Sequence, residues 1–149
     1  MLQALLATAR PGAAELVKGL HALDAARASA GARALAGVGG GLTPAGDDFI
    51  VGALLAAWAG LYGVGAETLG PGVVDAAAPR TTTLSAAYLR AAAHGECIVH
   101  WHTLVQALLH ADEPGLRAAV QSLVSVGHTS GADALAGFLA VHYVLGQGA

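Results

Sequence analysis

The sequence predicts an all-α fold, a single-domain bundle of about six helices spanning residues 1–149. Three observations predict it. Apolar residues recur at spacings of three and four, and no stretch alternates at period two long enough to make a strand. Hydrophobic residues make up 55% of the chain but aromatics only 5%. Such a core must be built from Ala, Leu and Val, with helices packed closely. Finally, glycine and proline clusters punctuate the apolar runs and leave mostly short connections, as in a bundle.

Taken in order, Pro11 sits where a first helical turn tolerates it, and Leu16, Leu20 and Leu23 repeat at helical spacing. An alanine-rich stretch continues to Ala36 and stops at Gly37, with Gly31 as a possible break within it. The next helix opens near Asp47 and runs to about Tyr62. Residues 63–80 carry Gly70-Pro71-Gly72 and little pattern, which predicts a mobile loop or lid. Arg80-Thr81-Thr82-Thr83 opens a helix to His94, with threonine caps at its start and Gly95 as its stop. Ile98, Trp101, Val105 and Leu108 form the stripe of the following helix. Asp112-Glu113-Pro114 starts another, whose inner face is Leu116, Val120 and Leu123. The last opens after Gly131 and carries Leu135, Phe138, Leu139 and Val141.

Composition narrows the function classes. Seven basic residues against ten acidic give a net charge of −3, and no basic run exists, which argues against a nucleic-acid partner. The single cysteine, Cys97, excludes an internal disulfide framework and reads as a small buried hydrophobe. The start Met1-Leu2-Gln3-Ala4 lacks a signal peptide's basic region, so a cytoplasmic location is expected. Between Asp48 and Glu67 lie 18 uncharged residues, close to a membrane-spanning length. Four glycines dilute that run and no Lys or Arg flanks it, so a buried central helix is expected instead of a membrane span.

One phrase is written twice. Gly46 and Gly131 each precede an acid by two residues, Asp48 and Asp133, and each acid precedes a further glycine by four, Gly52 and Gly137. The first copy begins at Gly41 with Thr43, preceded by Gly39 and Gly40, and the second begins at Gly127 with His128, Thr129 and Ser130. A glycine-rich turn at a helix start exposes backbone N–H groups beside the positive end of the helix dipole, which suits a carboxylate or phosphate. An aspartate in that first turn already answers the dipole, however. It favours capping, a divalent cation such as Mg²⁺ held by Asp48 and Asp133, or an amide or ammonium ligand. The plainer alternative is that the aspartates are caps and that Gly52 and Gly137 let two central helices touch. If the two starts converge, Asp48, Asp133 and His128 are the candidate catalytic residues. The substrate cradle would be Gly39, Gly40, Gly41, Thr43, Gly46, Thr129, Ser130 and Gly131.

Arg80, Thr81 and Thr82 at a helix start form a third candidate wall, able to hold an oxyanion. His94, Gly95 and Glu96 lie at a helix stop that can approach the same region. His100 and His102 are two apart and point to different faces, so the histidines make no ligand set. No nucleophile elbow, P-loop lysine or dinucleotide fingerprint is present.

Three segments in this order, GVGGGLTPAGDDFIVG, PRTTTLSAAYLRAAAHGE and VGHTSGADALAGFLA, resemble the AllH-like family. That family was long filed as a domain of unknown function and is linked to a subunit of oxamate carbamoyltransferase in anaerobic allantoin and purine breakdown. The resemblance runs from about Leu35 to Leu139. It implies carbamoyl transfer between carbamoyl phosphate and oxamate, two small anions that each carry an amide, with Arg80, Thr81 and Thr82 near the phosphate. Members are longer, with an N-terminal region before the glycine loop that is largely missing here, so the resemblance implies a short member. It also implies partners, either other enzyme subunits or, given the smooth Ala-rich faces, copies of this chain. The competing classes are a non-catalytic small-molecule or Mg²⁺-binding module and a structural assembly protein.

Overall fold

A computed structural model describes residues 2–60 and 63–146. Among these residues are eight α-helices, one short 3-10 turn and no strand. The helices are α1 (Leu2–Ala22), α2 (Ala25–Leu35), α3 (Ala45–Ala59), α4 (Gly63–Ala77), α5 (Thr83–Ala93), α6 (Val99–Leu109), α7 (Glu113–Val124) and α8 (Ser130–Gly146). The all-α prediction therefore holds, but the count of about six falls short for two reasons.

First, the break in the N-terminal stretch falls at Leu23–Asp24, not at Gly31. Leu23 takes a left-handed φ of 53° and is largely exposed, while the Asp24 carboxylate caps α2 by accepting from the Arg27 N–H. Gly31 stays helical because it is the contact point with α1: a Cβ there would lie 2.2 Å from the backbone nitrogen of Leu16. Second, the stretch expected to be a loop is helix α4, followed by a 3-10 turn at Ala78–Arg80. Pro71 sits inside α4, and Leu69, Val73, Val74 and Ala77 of the same helix are buried. Packing of that face against α2 and α5 outweighs the local breaker signal.

Pro11, expected in a first helical turn, lies inside α1, which begins at Leu2, but the boundaries of α5 follow their residues. Thr82 caps α5, its hydroxyl accepting from the Ser85 N–H. Gly95, at φ 74°, ends it: the N–H groups of Gly95 and Glu96 return to the carbonyls of Ala92 and Ala91. Tyr62 lies outside the described residues, and α3 ends at Gly60. No helix among the described residues is long and apolar enough to cross a membrane.

The repeated phrase proves to be the visible part of a longer structural repeat. The unit α1–α2–loop–α3 matches α6–α7–loop–α8 feature by feature. Leu23 and Ala111 both take a left-handed φ, and Asp24 and Asp112 both cap the next helix. Val38 donates to Leu35 O and Val126 to Leu123 O; Gly46 donates to Val38 O and Gly131 to Val126 O. Each inner glycine lies against the end of the preceding helix. A Cβ on Gly46 would fall 2.1 Å from Leu35 O, and one on Gly131 1.9 Å from Leu123 O. Helices α4 and α5 lie between the two units in sequence.

The centre of the molecule is the pair α3 and α8, the most extensively packed in the fold. Gly52 and Gly137 mark their crossing. A Cβ on Gly52 would lie 1.7 Å from Ala134 O, and one on Gly137 2.0 Å from Phe49 O. Nearly every residue of α3 from Ile50 to Ala57 is buried, as expected of a helix apolar all round. Phe138 of α8 fills the space beside it and meets Trp101 of α6, ring centroids 5.2 Å apart.

Candidate functional site

The two phrases meet at one end of this crossing. The hydroxyls of Thr43, just before α3, and Ser130, at the start of α8, are 2.8 Å apart. Asp133 is near enough to Asp48 to disfavour its ionised form. The start of α5 joins them: the Thr82 hydroxyl donates to Leu42 O at 2.5 Å, and the Thr81 hydroxyl donates to Asp47. All three segments singled out in the sequence therefore lie together.

The two adjacent aspartates of α3 have separate environments. Asp47 is fully buried, and its carboxylate accepts from the Gly37 N–H at 3.0 Å, the Ser85 hydroxyl at 2.9 Å and the Thr81 hydroxyl. It fastens the glycine loop to α5, and both of its oxygens are engaged. Asp48, one residue on and 8% exposed, faces a cavity, and its Oδ2 has no hydrogen-bond partner. Burial pushes its carboxyl up to about 6; hydrogen bonds from Ser130 and Thr43 oppose the shift, and the neighbouring Asp133 and Asp47 add to it. Near neutral pH this group exchanges a proton easily, the property expected of a general acid or base.

The cavity holds about 310 Å³. Val51, Leu55, Trp101, Leu123 and Ala134 give it apolar walls, and Thr43, Asp48 and Ser130 give it a polar corner. Leu42, Leu84, Tyr88 and Ile98 surround it and remain substantially exposed. Glu96 and Cys97, brought in by the Gly95 turn, complete the mouth. Burial pushes the Cys97 thiol up, and its Sγ lies 3.6 Å from His102 Nε2.

Several expected site residues lie elsewhere. His128 and Thr129 are exposed, and neither lines the cavity, because the tight turn before α8 directs them outward. The Arg80 side chain is exposed too; its carbonyl packs against Gly37, where a Cβ would come within 2.6 Å. Gly39, Gly40 and Gly41 form an open loop outside the cavity lining. The anion cradle also loses donors, since the Gly46 and Gly131 N–H groups are committed to Val38 O and Val126 O. No set of three or more His, Cys, Asp or Glu side chains comes together among the described residues. A Mg²⁺ site would thus rest on Asp48 and Asp133 alone.

Cys97 and Trp101, expected from the sequence as a buried hydrophobe and part of a helix stripe, line the cavity, as do Leu84 and Tyr88, which no sequence signal marked. The helix stop at Gly95 had pointed Glu96 towards this region, and the next two residues, Cys97 and Ile98, share that approach.

No solved structure matches this chain. The family model described as oxamate carbamoyltransferase subunit AllH matches residues 35–142, from the end of α2 through most of α8, which takes in both phrases and the start of α5. A match over that much of the chain, containing every wall of the cavity, makes the chain a member of the AllH family of oxamate carbamoyltransferase subunits.

Proposed function

We propose that this chain is a subunit of a carbamoyl-transfer enzyme of the oxamate carbamoyltransferase type, and that the cavity at the joined starts of α3 and α8 receives the amide end of the substrate. The observation that carries this reading is Asp48: a carboxyl poised near 6, with one buried oxygen unpartnered, on a residue that lines a cavity, in a chain of this family. Transfer to oxamate forms a bond from its amide nitrogen to the carbamoyl carbon. The bond from that carbon to the phosphate oxygen breaks, and one proton leaves the nitrogen. An amide nitrogen is a poor nucleophile, so a base that takes this proton as the new bond forms lowers the barrier. Asp48 fills that role, with Thr43 and Ser130 orienting its carboxylate. A family named for one subunit implies other subunits as partners.

The test is thermal unfolding of the purified chain with oxamate. Oxamate at millimolar concentration is expected to raise Tm for the wild type and leave Asp48→Ala unmoved. The same shift in both proteins would remove Asp48 from the site, and no shift in the wild type would count against the assignment of this cavity to oxamate.

A further inference from the structure

We propose that the Asp48 cavity selects an uncharged carboxamide or urea-type group and excludes phosphate, so that the phosphate of a carbamoyl donor is held outside it. This deepens the carbamoyl-transfer reading and rests on it only in naming oxamate as the natural bearer of the amide.

Four observations support the assignment. First, Asp48 is more than nine-tenths buried and its Oδ2, unpartnered within the protein, belongs to a residue that lines the cavity. A buried carboxylate oxygen without a partner is costly, and an N–H donor from a ligand removes that cost. Second, none of the described residues lining the cavity is Lys, Arg or His, whereas Asp48 and Glu96 are both there. A phosphate dianion entering would meet carboxylates with no cation to offset them, in surroundings where charge is poorly screened. Third, each helix start has lost its glycine donor, because Gly46 and Gly131 both donate their N–H groups within the protein. Fourth, much of the lining beside this polar corner is apolar, including Val51, Leu55, Trp101 and Ala134. Such a surface suits the faces of a planar amide, while the hydroxyls of Thr43 and Ser130 lie beside Asp48 and can meet its edge.

The amide N–H₂ then has its counterparts: one hydrogen is donated to Asp48 Oδ2 and the other to a lone pair of the Thr43 or Ser130 hydroxyl. The charged end of the molecule points towards the mouth between Leu42, Tyr88 and Ile98.

Cys97 provides a direct readout, since it is the only cysteine and lines the same cavity. The rate of its alkylation by a small thiol reagent is measured with oxamide (the neutral diamide), with oxamate, and with inorganic phosphate, alongside Tm. Oxamide is expected to slow alkylation about tenfold at roughly ten times its Kd and to raise Tm, and phosphate at the same ionic strength to do neither. Protection by phosphate, or protection by neither amide, overturns the proposal. If oxamide protects and oxamate does not, the amide pocket stands and the oxamate reading falls. If oxamate protects and oxamide does not, the oxamate reading stands and the pocket's preference for an uncharged group falls. Two variants bind the effect to this place: Asp48→Leu removes the acceptor, and Val51→Phe fills the cavity while leaving Asp48 intact. Both are expected to abolish protection by oxamide, and protection that survives in a folded variant of either kind overturns the proposal.

Discussion

Replacing Gly52 by alanine tests the architecture on which the cavity depends. The new Cβ would lie 1.7 Å from Ala134 O, whereas a carbon–oxygen contact settles at about 3.3 Å. Helices α3 and α8 must therefore part by about 1.6 Å at their crossing, or bend to the same effect. The obstacle is backbone, so no side-chain rotation relieves it. Overpacking of this kind costs about 1–3 kcal/mol and more where backbone must move, and a gap of this size forfeits a large share of the neighbouring dispersion contacts. Alanine's helix propensity returns about 1 kcal/mol. The expected net loss is about 2–3 kcal/mol, read as a fall of roughly 8 °C in Tm for a chain of this size. Gly137→Ala, at 2.0 Å from Phe49 O, should lose a similar amount. Because either change separates the same two helices, the double variant should cost clearly less than the sum. Gly40→Ala is the control, with no heavy atom within 4 Å of its Cβ and an expected change within about 0.5 kcal/mol. Chemical denaturation gives all four values. A Gly52→Ala protein as stable as the wild type would refute the close crossing, and with it the joining of the two helix starts.

Two further predictions separate the adjacent aspartates. Asp47→Ala strips the acceptor from the Gly37 N–H and from the Thr81 and Ser85 hydroxyls in a buried place. It should cost about 3–5 kcal/mol in urea unfolding, and a loss below about 1 kcal/mol would show that the clamp is not structural. Asp48 behaves in the opposite sense: its folded pKa lies above the unfolded value, about 6 against 3.8, so folding binds a proton. Stability attributable to it is present below about pH 4, declines as pH rises through about 6, and is level above. A shift of about two units corresponds to at most about 3 kcal/mol. Asp48→Asn should therefore gain stability relative to the wild type between pH about 4 and about 7.5, and a difference that does not change with pH would contradict the shift.

Much of the architecture could be read along the chain because it rests on local chemistry. The Thr82 cap, the Gly95 stop and the Asp112 start depend on residues within one turn, and each lies where its sequence places it. The twice-written phrase was also visible, and its glycines do serve a helix contact. Its larger frame was hidden by a change of register. Val38 is followed by Gly46 after eight steps, whereas Val126 is followed by Gly131 after five, so one alignment does not carry through the loop. The boundaries that misled, Gly31 and Gly70-Pro71-Gly72, are places where packing overrides a local breaker.

By itself the sequence determined the helical class, the caps and stops, and the recurrence of a glycine–aspartate helix start, because each is settled by backbone preference and hydrogen bonding over a few residues. The tertiary structure alone decided how adjacent aspartates divide their work. Asp47 turns towards Gly37, Thr81 and Ser85, while Asp48, about 100° further around the same helix, turns towards a cavity whose walls come from α3, α6, α7 and α8. Burial and unpaired valence depend on what distant segments bring alongside, and no spacing within α3 records that.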